Sequence, residues 1–190
     1  IKNKLKEINM KYKFDGKLDE KNFFTYDELM IEAIAKNNFN LFLQLLRKKG
    51  NDIYLTVKLE LNYSYNVFLY PIFFIAIYFN NKEVIEYLMK EGFNINDDYD
   101  IINSSSIKVN LSSTPLIFAI GYKKNDIAKY LIDNGADINK TTSIYLEIFY
   151  YYSNTIGAKS TFSAAVKTCN YEMIHLLVDM GYDISKEYKK

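Results

Sequence analysis

The 190-residue chain has one cysteine (Cys169), one histidine (His175), two prolines and no tryptophan. A lone cysteine excludes an internal disulfide and a cysteine-built zinc site. A lone histidine leaves no second imidazole for most metal-binding and acid–base schemes. The sequence also contains no G-x-x-x-x-G-K-(S/T), G-x-S-x-G or H-E-x-x-H, so it carries none of the usual marks of a phosphate loop, a nucleophile elbow or a zinc helix. Catalysis and cofactor binding are therefore not expected. The net charge is +1, which argues against a nucleic-acid binder that works by neutralising many phosphates. Long hydrophobic runs are missing as well. The longest apolar stretch, 67–79 (VFLYPIFFIAIYF), has thirteen residues with a proline inside it, short of the roughly 20 needed to span a bilayer. It reads as a buried helix with its lead-in, and no membrane span is expected. No compartment follows from the sequence.

What the chain has in abundance is Lys, Ile, Asn and Tyr, with 18 tyrosines and seven glycines. Four of those glycines share one context: Gly50 opens GNDI, Gly92 GFNI, Gly135 GADI and Gly181 GYDI, at spacings of 42, 43 and 46 residues. An apolar helical segment precedes each of them, so each glycine is expected to end a helix in the left-handed conformation. Further upstream lies a second segment with a small residue at its centre, Ala33, Ala76, Ala119 or Ala165, spaced 43, 43 and 46 apart. Alanine there lets two antiparallel helices approach closely. The unit reads as short helix, Asn/Lys-rich turn, second helix, glycine stop and extended connector. No single unit can bury its apolar faces, so stability must come from stacking neighbours.

Residues 113–140, STPLIFAIGYKKNDIAKYLIDNGADINK, resemble an ankyrin repeat almost position for position. Thr114-Pro115-Leu116 matches the opening of that family's first helix. Ala119 matches its small centre, Ile127 and Leu131 its apolar seam, and Gly135-Ala136-Asp137 its close. Thr114 is suited to cap the helix and Pro115 to occupy its first position. Four such units fall at about 25–53, 70–96, 113–139 and 160–185. They imply a mainly α fold, an ankyrin-like solenoid of helix–turn–helix repeats filling residues 25–185. The residue after TPL, histidine in the family, is here Ile31, Phe74, Ile117 or Ser163, so the polar tie to the neighbouring turn is expected to be missing. The family period is about 33 residues, whereas here it is 43 to 46. The excess lies between each glycine and the next first helix, where ankyrin arrays place β-hairpin fingers.

The connectors support that placement. Residues 53–62 (IYLTVKLELN) and 107–111 (IKVNL) alternate apolar and polar side chains, the period of a strand. Residues 144–152 (IYLEIFYYY) are β-branched and aromatic, with Ser153-Asn154 as a turn. Extended fingers are expected, with pairing into a small sheet left open. Residues 1–24, with seven lysines and four acids, read as an arm or capping helix, and 186–190 as a charged tail.

The resemblance implies a non-catalytic scaffold that binds a protein partner through the concave face and finger tips. Transferred by register, the surface positions of the first helices are Ala35 and Lys36, Tyr78 and Phe79, Gly121 and Tyr122, and Lys167 and Thr168. The residues before those helices add Asp27, Tyr70, Ser113 and Lys159. The candidate partner-binding residues are Tyr70, Tyr78, Phe79 and Tyr122 as a central aromatic cluster, flanked by Lys36 and Lys167. Aromatic anchors bury large area at small rotamer cost. The alternative is that the fingers fold over these rings. Replacing Tyr78 and Tyr122 by alanine is expected to weaken binding more than folding. The expected state is a monomer. Its rivals are self-assembly through the last repeat, whose second helix still shows Ile174, Leu176 and Val178, and a small-ligand pocket under the fingers.

Overall fold

The computed structural model describes residues 26–50, 52–61, 64–103, 110–149 and 155–187. The expectations for residues 1–24, for the turn at Ser153-Asn154 and for most of the short run 107–111 lie outside the described residues.

Four helix pairs follow one another. They are α1 (Tyr26–Ala35) with α2 (Phe39–Lys49), α3 (Ile72–Tyr78) with α4 (Lys82–Lys90), α5 (Pro115–Gly121) with α6 (Asn125–Asp133), and α7 (Thr161–Lys167) with α8 (Tyr171–Asp179). Each central alanine, Ala33, Ala76, Ala119 and Ala165, is buried to within 1%, as close helix approach requires. The apolar seams face inward: Val84, Ile85 and Leu88 on α4, and Ile127, Ala128 and Leu131 on α6, are buried. Thr114 caps α5 by accepting the Ile117 N–H at 3.2 Å, and Pro115 takes the first turn. In the fourth pair Ser163 replaces the family histidine. Its Oγ accepts the Ser160 N–H at 3.0 Å while Ser160 accepts the Ser163 N–H at 2.9 Å. A polar tie thus survives there, within its own turn.

The helix stops differ in one place. Gly92, Gly135 and Gly181 have φ of 100°, 92° and 80° and lie one residue past the cap. In the first repeat the extra residue of RKKG extends α2 to eleven residues, and Gly50 is itself the cap with φ 72° and ψ −138°. That is a conformation glycine alone adopts readily, and it is not the left-handed helical one.

The turns between paired helices repeat a second left-handed residue: Asn37, Asn80, Lys123 and Cys169, with φ between 51° and 56°. Each lies four residues after its central alanine. Asparagine tolerates this conformation, whereas a cysteine is strained in it. Cys169→Asn is therefore expected to stabilise the protein by about 1 kcal/mol, read as a shift of the urea midpoint at unchanged m-value.

The connectors form strands. β1 (Tyr54–Leu61) pairs antiparallel with β2 (Ser64–Pro71), from Tyr54 opposite Pro71 to Leu61 opposite Ser64. β3 (Tyr99–Asn103) and β4 (Asn110–Ser113) form the second finger. The two fingers join through β2 and β3, with Phe68 opposite Asn103 and Leu69 opposite Ile102, giving one four-stranded sheet in the order β1-β2-β3-β4. β5 (Thr141–Phe149) and β6 (Thr155–Ser160) make a separate two-stranded finger. The run 67–79 thus divides: its first part is the end of β2, and the helix begins only at Ile72. Among the described residues no helix is long and apolar enough to cross a membrane.

The first finger is tethered by charge. The Asp27 carboxylate accepts from Lys49 Nζ at 2.8 Å and from the Thr56 N–H at 2.8 Å. Burial works against the ionised carboxylate, but the Lys49 ammonium and the Thr56 bonds outweigh it and hold the pKa below its ordinary value. Asp27, expected at the recognition surface, serves instead to hold β1 against the first helix pair.

Candidate interaction surface

Two positions per repeat, two and three residues after the central alanine, lie at the ends of the first helices. Of these Lys36, Tyr78 and Lys167 are exposed, Ala35, Phe79 and Tyr122 are half-buried, and Gly121 and Thr168 are buried. Across the array they read Ala35/Lys36, Tyr78/Phe79, Gly121/Tyr122 and Lys167/Thr168. The three aromatics, Tyr78, Phe79 and Tyr122, therefore belong to the two middle repeats, and lysines stand toward both ends.

Tyr78 is the most exposed of the candidate rings, at 45%. It meets Phe79 edge-on at 5.1 Å and Tyr122 edge-on at 5.6 Å between ring centroids. Lys124 Nζ stands 5.0 Å from the centre of the Tyr78 ring, within cation–π range. Phe79 and Tyr122 are half-buried. Beneath Tyr122 lies Phe118 at 4.5 Å, which stacks on Phe74 at 4.3 Å. The surface ring is thus the outer member of a chain of aromatics rooted in the core. Edge-on and stacked pairs are the preferred arrangements of ring quadrupoles.

Tyr70 is placed differently from the expectation. It is 7% exposed, part of β2, 6.1 Å from Phe68 and 6.5 Å from Phe118. As a residue of β2 it turns its ring toward Phe68 and Phe118, so it does not face solvent. Its phenol hydrogen-bonds that of Tyr122, and burial drives both pKa values up, that of Tyr70 to about 12. Because Tyr122 is tied in this way, Tyr122→Ala would disturb packing as well as contact, and the paired substitution with Tyr78 does not separate binding from folding. A phenol whose pKa is raised in the folded chain stabilises it fully below the unfolded value near 10, and that contribution is lost as pH rises toward 12. Urea unfolding is therefore expected to show constant stability from neutral pH to about 9 and a decline above about 10. The decline should be shallower in Tyr70→Phe.

The flanking residues also have assigned places. Lys36 is exposed and pairs with Glu32 one turn earlier. Lys167 and Lys159 are exposed, Thr168 is buried with its hydroxyl donating to the Ala164 carbonyl at 2.7 Å, and Ser113 is buried. His175 is exposed on α8, and Cys169 is exposed in its turn.

A set of asparagines that sequence reasoning passed over ties the repeats together. Asn81 caps α4 by accepting the Val84 N–H at 3.1 Å and donates to the Ile34 carbonyl of the preceding repeat at 2.8 Å. Asn170 caps α8 and donates to the Ile120 carbonyl at 3.4 Å and to Asn125 at 2.8 Å. Nearer the fingers, Asn96 donates to the Gly135 carbonyl at 3.0 Å and accepts the Asp137 N–H at 2.7 Å. Asn139 accepts the Asp183 N–H at 3.0 Å in the same register. The available signal was recurrence: asparagine five residues after the central alanine in three repeats, and four residues after the glycine in two.

One cleft, of about 390 Å³, is lined by Lys36, Asn37, Asn38, Phe39, Asn40 and Glu83. It lies at the interhelical turns, at the end of the helices remote from the fingers. Among the described residues no group of three or more His, Cys, Asp or Glu side chains is gathered as a metal site.

A family model described as ankyrin repeats, in three copies, matches residues 29–142. The fourth helix pair lies beyond that span and shares its register through Ala165, Asn170 and Gly181. No curated protein matches the chain.

Proposed function

Because the chain belongs to the ankyrin-repeat family, whose repeats are generally protein-interaction modules, we propose that it is a scaffold that captures a protein partner along the ends of its first helices. Tyr78 is the anchor, Phe79 and Tyr122 form its walls, and Lys36 and Lys167 bracket the contact. The observation that carries this reading is the Tyr78 ring, which stays open to solvent while its neighbours hold it edge-on. A large ring fixed before binding loses little entropy when a partner covers it. Lys124 over the ring adds a cation, which favours a partner segment bearing a carboxylate beside an apolar group.

Members of this family are typically non-catalytic. The cleft at the interhelical turns does not favour a reaction: its lysine is engaged by Glu32, and its other polar groups are mainly asparagine amides.

The test is quantitative affinity capture with the wild-type chain and with Tyr78→Ala, using Tyr171→Ala as an exposed-aromatic control. A partner retained by wild type and control and lost with Tyr78→Ala supports the reading. Equal capture by all three overturns it.

A further inference from the structure

At their turns, neighbouring repeats are tied by the asparagine five residues after the central alanine. Asn81 donates to the Ile34 carbonyl at 2.8 Å across the first boundary, and Asn170 to the Ile120 carbonyl at 3.4 Å across the third. At the second boundary that position is Lys124, whose ammonium stands 5.0 Å from the centre of the Tyr78 ring. The amide tie is thus replaced where Tyr78 meets Tyr122, edge-on at 5.6 Å. A pair of phenols spans this boundary: Tyr70 and Tyr78 belong to the second repeat, Tyr122 follows the first helix of the third, and the Tyr122 hydroxyl donates to that of Tyr70. The other ring contacts of Tyr122, with Tyr78 and with Phe118 at 4.5 Å, tolerate sliding, because aromatic pairs are favourable over a range of separations. A hydrogen bond demands a set distance and angle, and breaking a buried one leaves a polar atom unpaired. Tyr70 is itself firmly placed. It is 7% exposed, lies opposite the fully buried Leu55 in the register of β1 with β2, and sits 6.1 Å from Phe68. Its strand lies inside the four-stranded sheet, between β1 and β3.

We infer that Tyr70 is a positioning residue for the Tyr78 contact, acting from the finger sheet through Tyr122. The inference rests on the reading of Tyr78 as the partner's anchor. Tyr70 is buried and touches no partner. It fixes Tyr122, and Tyr122 is the wall against which the Tyr78 ring is set. Without the Tyr70 hydroxyl the rings remain, but the Tyr122 ring is free to shift against Tyr78 across the boundary. The anchor is then no longer fixed before binding, and covering it costs more entropy.

NMR of the whole chain with labelled tyrosine rings tests this without a partner. The Tyr78 signals are assigned by their loss in Tyr78→Phe, and their displacement by neighbouring rings reports where the anchor sits. Tyr70→Phe, which keeps the ring and removes only the hydroxyl, should reduce that displacement at least about twofold, while circular dichroism keeps its wild-type form. Tyr122→Phe breaks the same bond from the other side and should have the same effect, and the double variant should add nothing to either single one. Unmoved Tyr78 signals overturn the proposal, and so do additive effects. Asn96→Ala removes a different tie across the same boundary, to the Gly135 carbonyl and the Asp137 N–H. It should lower stability and leave the Tyr78 signals in place. If it moves them as Tyr70→Phe does, Tyr70 has a merely structural role and the proposal falls. A partner captured through Tyr78 should bind Tyr70→Phe about three- to tenfold more weakly, and undiminished affinity overturns the proposal. Capture that does not depend on Tyr78 overturns the anchor reading by itself, since the ring signals report on the free chain.

Discussion

Phe118→Ala is expected to lower stability by about 3–5 kcal/mol, near the upper end for a single truncation. Phe118 is 1% exposed and joins three parts of the fold at once. It belongs to the third repeat, stacks on Phe74 of the second at 4.3 Å, and lies against Tyr70 of the finger sheet at 6.5 Å. Deleting the ring removes transfer free energy, leaves a cavity, and forfeits the aromatic pairing, itself worth about 0.5–1.5 kcal/mol. The loss falls at a repeat boundary. In a linear array whose stability is a sum of repeat and neighbour terms, a weakened boundary lets the two sides unfold separately. Urea unfolding should therefore show a lower midpoint and also a broadened transition with a reduced apparent m-value. Phe118→Leu, which keeps most of the volume, should cost less and retain a single transition. The surface should respond as well. Tyr122 rests on Phe118 at 4.5 Å, so a partner that uses Tyr78 should bind Phe118→Ala more weakly although the substituted residue is never touched.

The helix pairs were legible in the sequence because their determinants are local. A central alanine, an apolar i,i+4 seam and a closing glycine act within one repeat, and their recurrence disclosed the architecture. The fingers were legible as strands for the same reason. Their joining was not, because the register of Phe68 opposite Asn103 links residues 35 apart and no local pattern encodes it. The run 67–79 illustrates the limit. A continuous apolar stretch has no period to distinguish a buried strand from a buried helix, and the boundary at Ile72 is set by the sheet that β2 joins. Tyr70 follows from this. Placed on β2, it enters the sheet and the core, whereas Tyr78, carried one turn past Phe74 on the helix, emerges. Register alone assigned both to the surface. The lysine at 124 was likewise not a recognisable site residue, since its proximity to Tyr78 arises only when repeats two and three stack.

Asn81 is expected to be worth more than an ordinary helix cap. Its side chain, 2% exposed, does two things: Oδ1 accepts the Val84 N–H, and Nδ2 donates to the Ile34 carbonyl across the repeat boundary. Asn38 occupies the equivalent position in the first repeat and accepts the Leu41 N–H at 3.2 Å, with no bond to a preceding repeat among the described residues. Asn38→Ala should therefore cost about 1 kcal/mol, the usual value of a cap. Asn81→Ala should cost about 2–3 kcal/mol, the cap plus a buried bond whose carbonyl partner keeps only a weaker contact with the Asn37 N–H at 3.2 Å. Asn81→Asp separates the parts: it preserves the acceptor for Val84 but turns an oxygen toward the Ile34 carbonyl, and should be no more stable than the alanine variant. If chemical denaturation gives the same loss for Asn38→Ala and Asn81→Ala, the inter-repeat bond contributes nothing. The third repeat supplies the complement. There Lys124 takes the asparagine's place and α6 has no side-chain cap, so Lys124→Asn should stabilise the chain by about 1 kcal/mol. The same change removes the cation from over Tyr78. The position that holds a capping asparagine in the other three repeats is a lysine here. A gain in stability with a loss in partner affinity for Lys124→Asn would show that this lysine serves binding at a cost in stability.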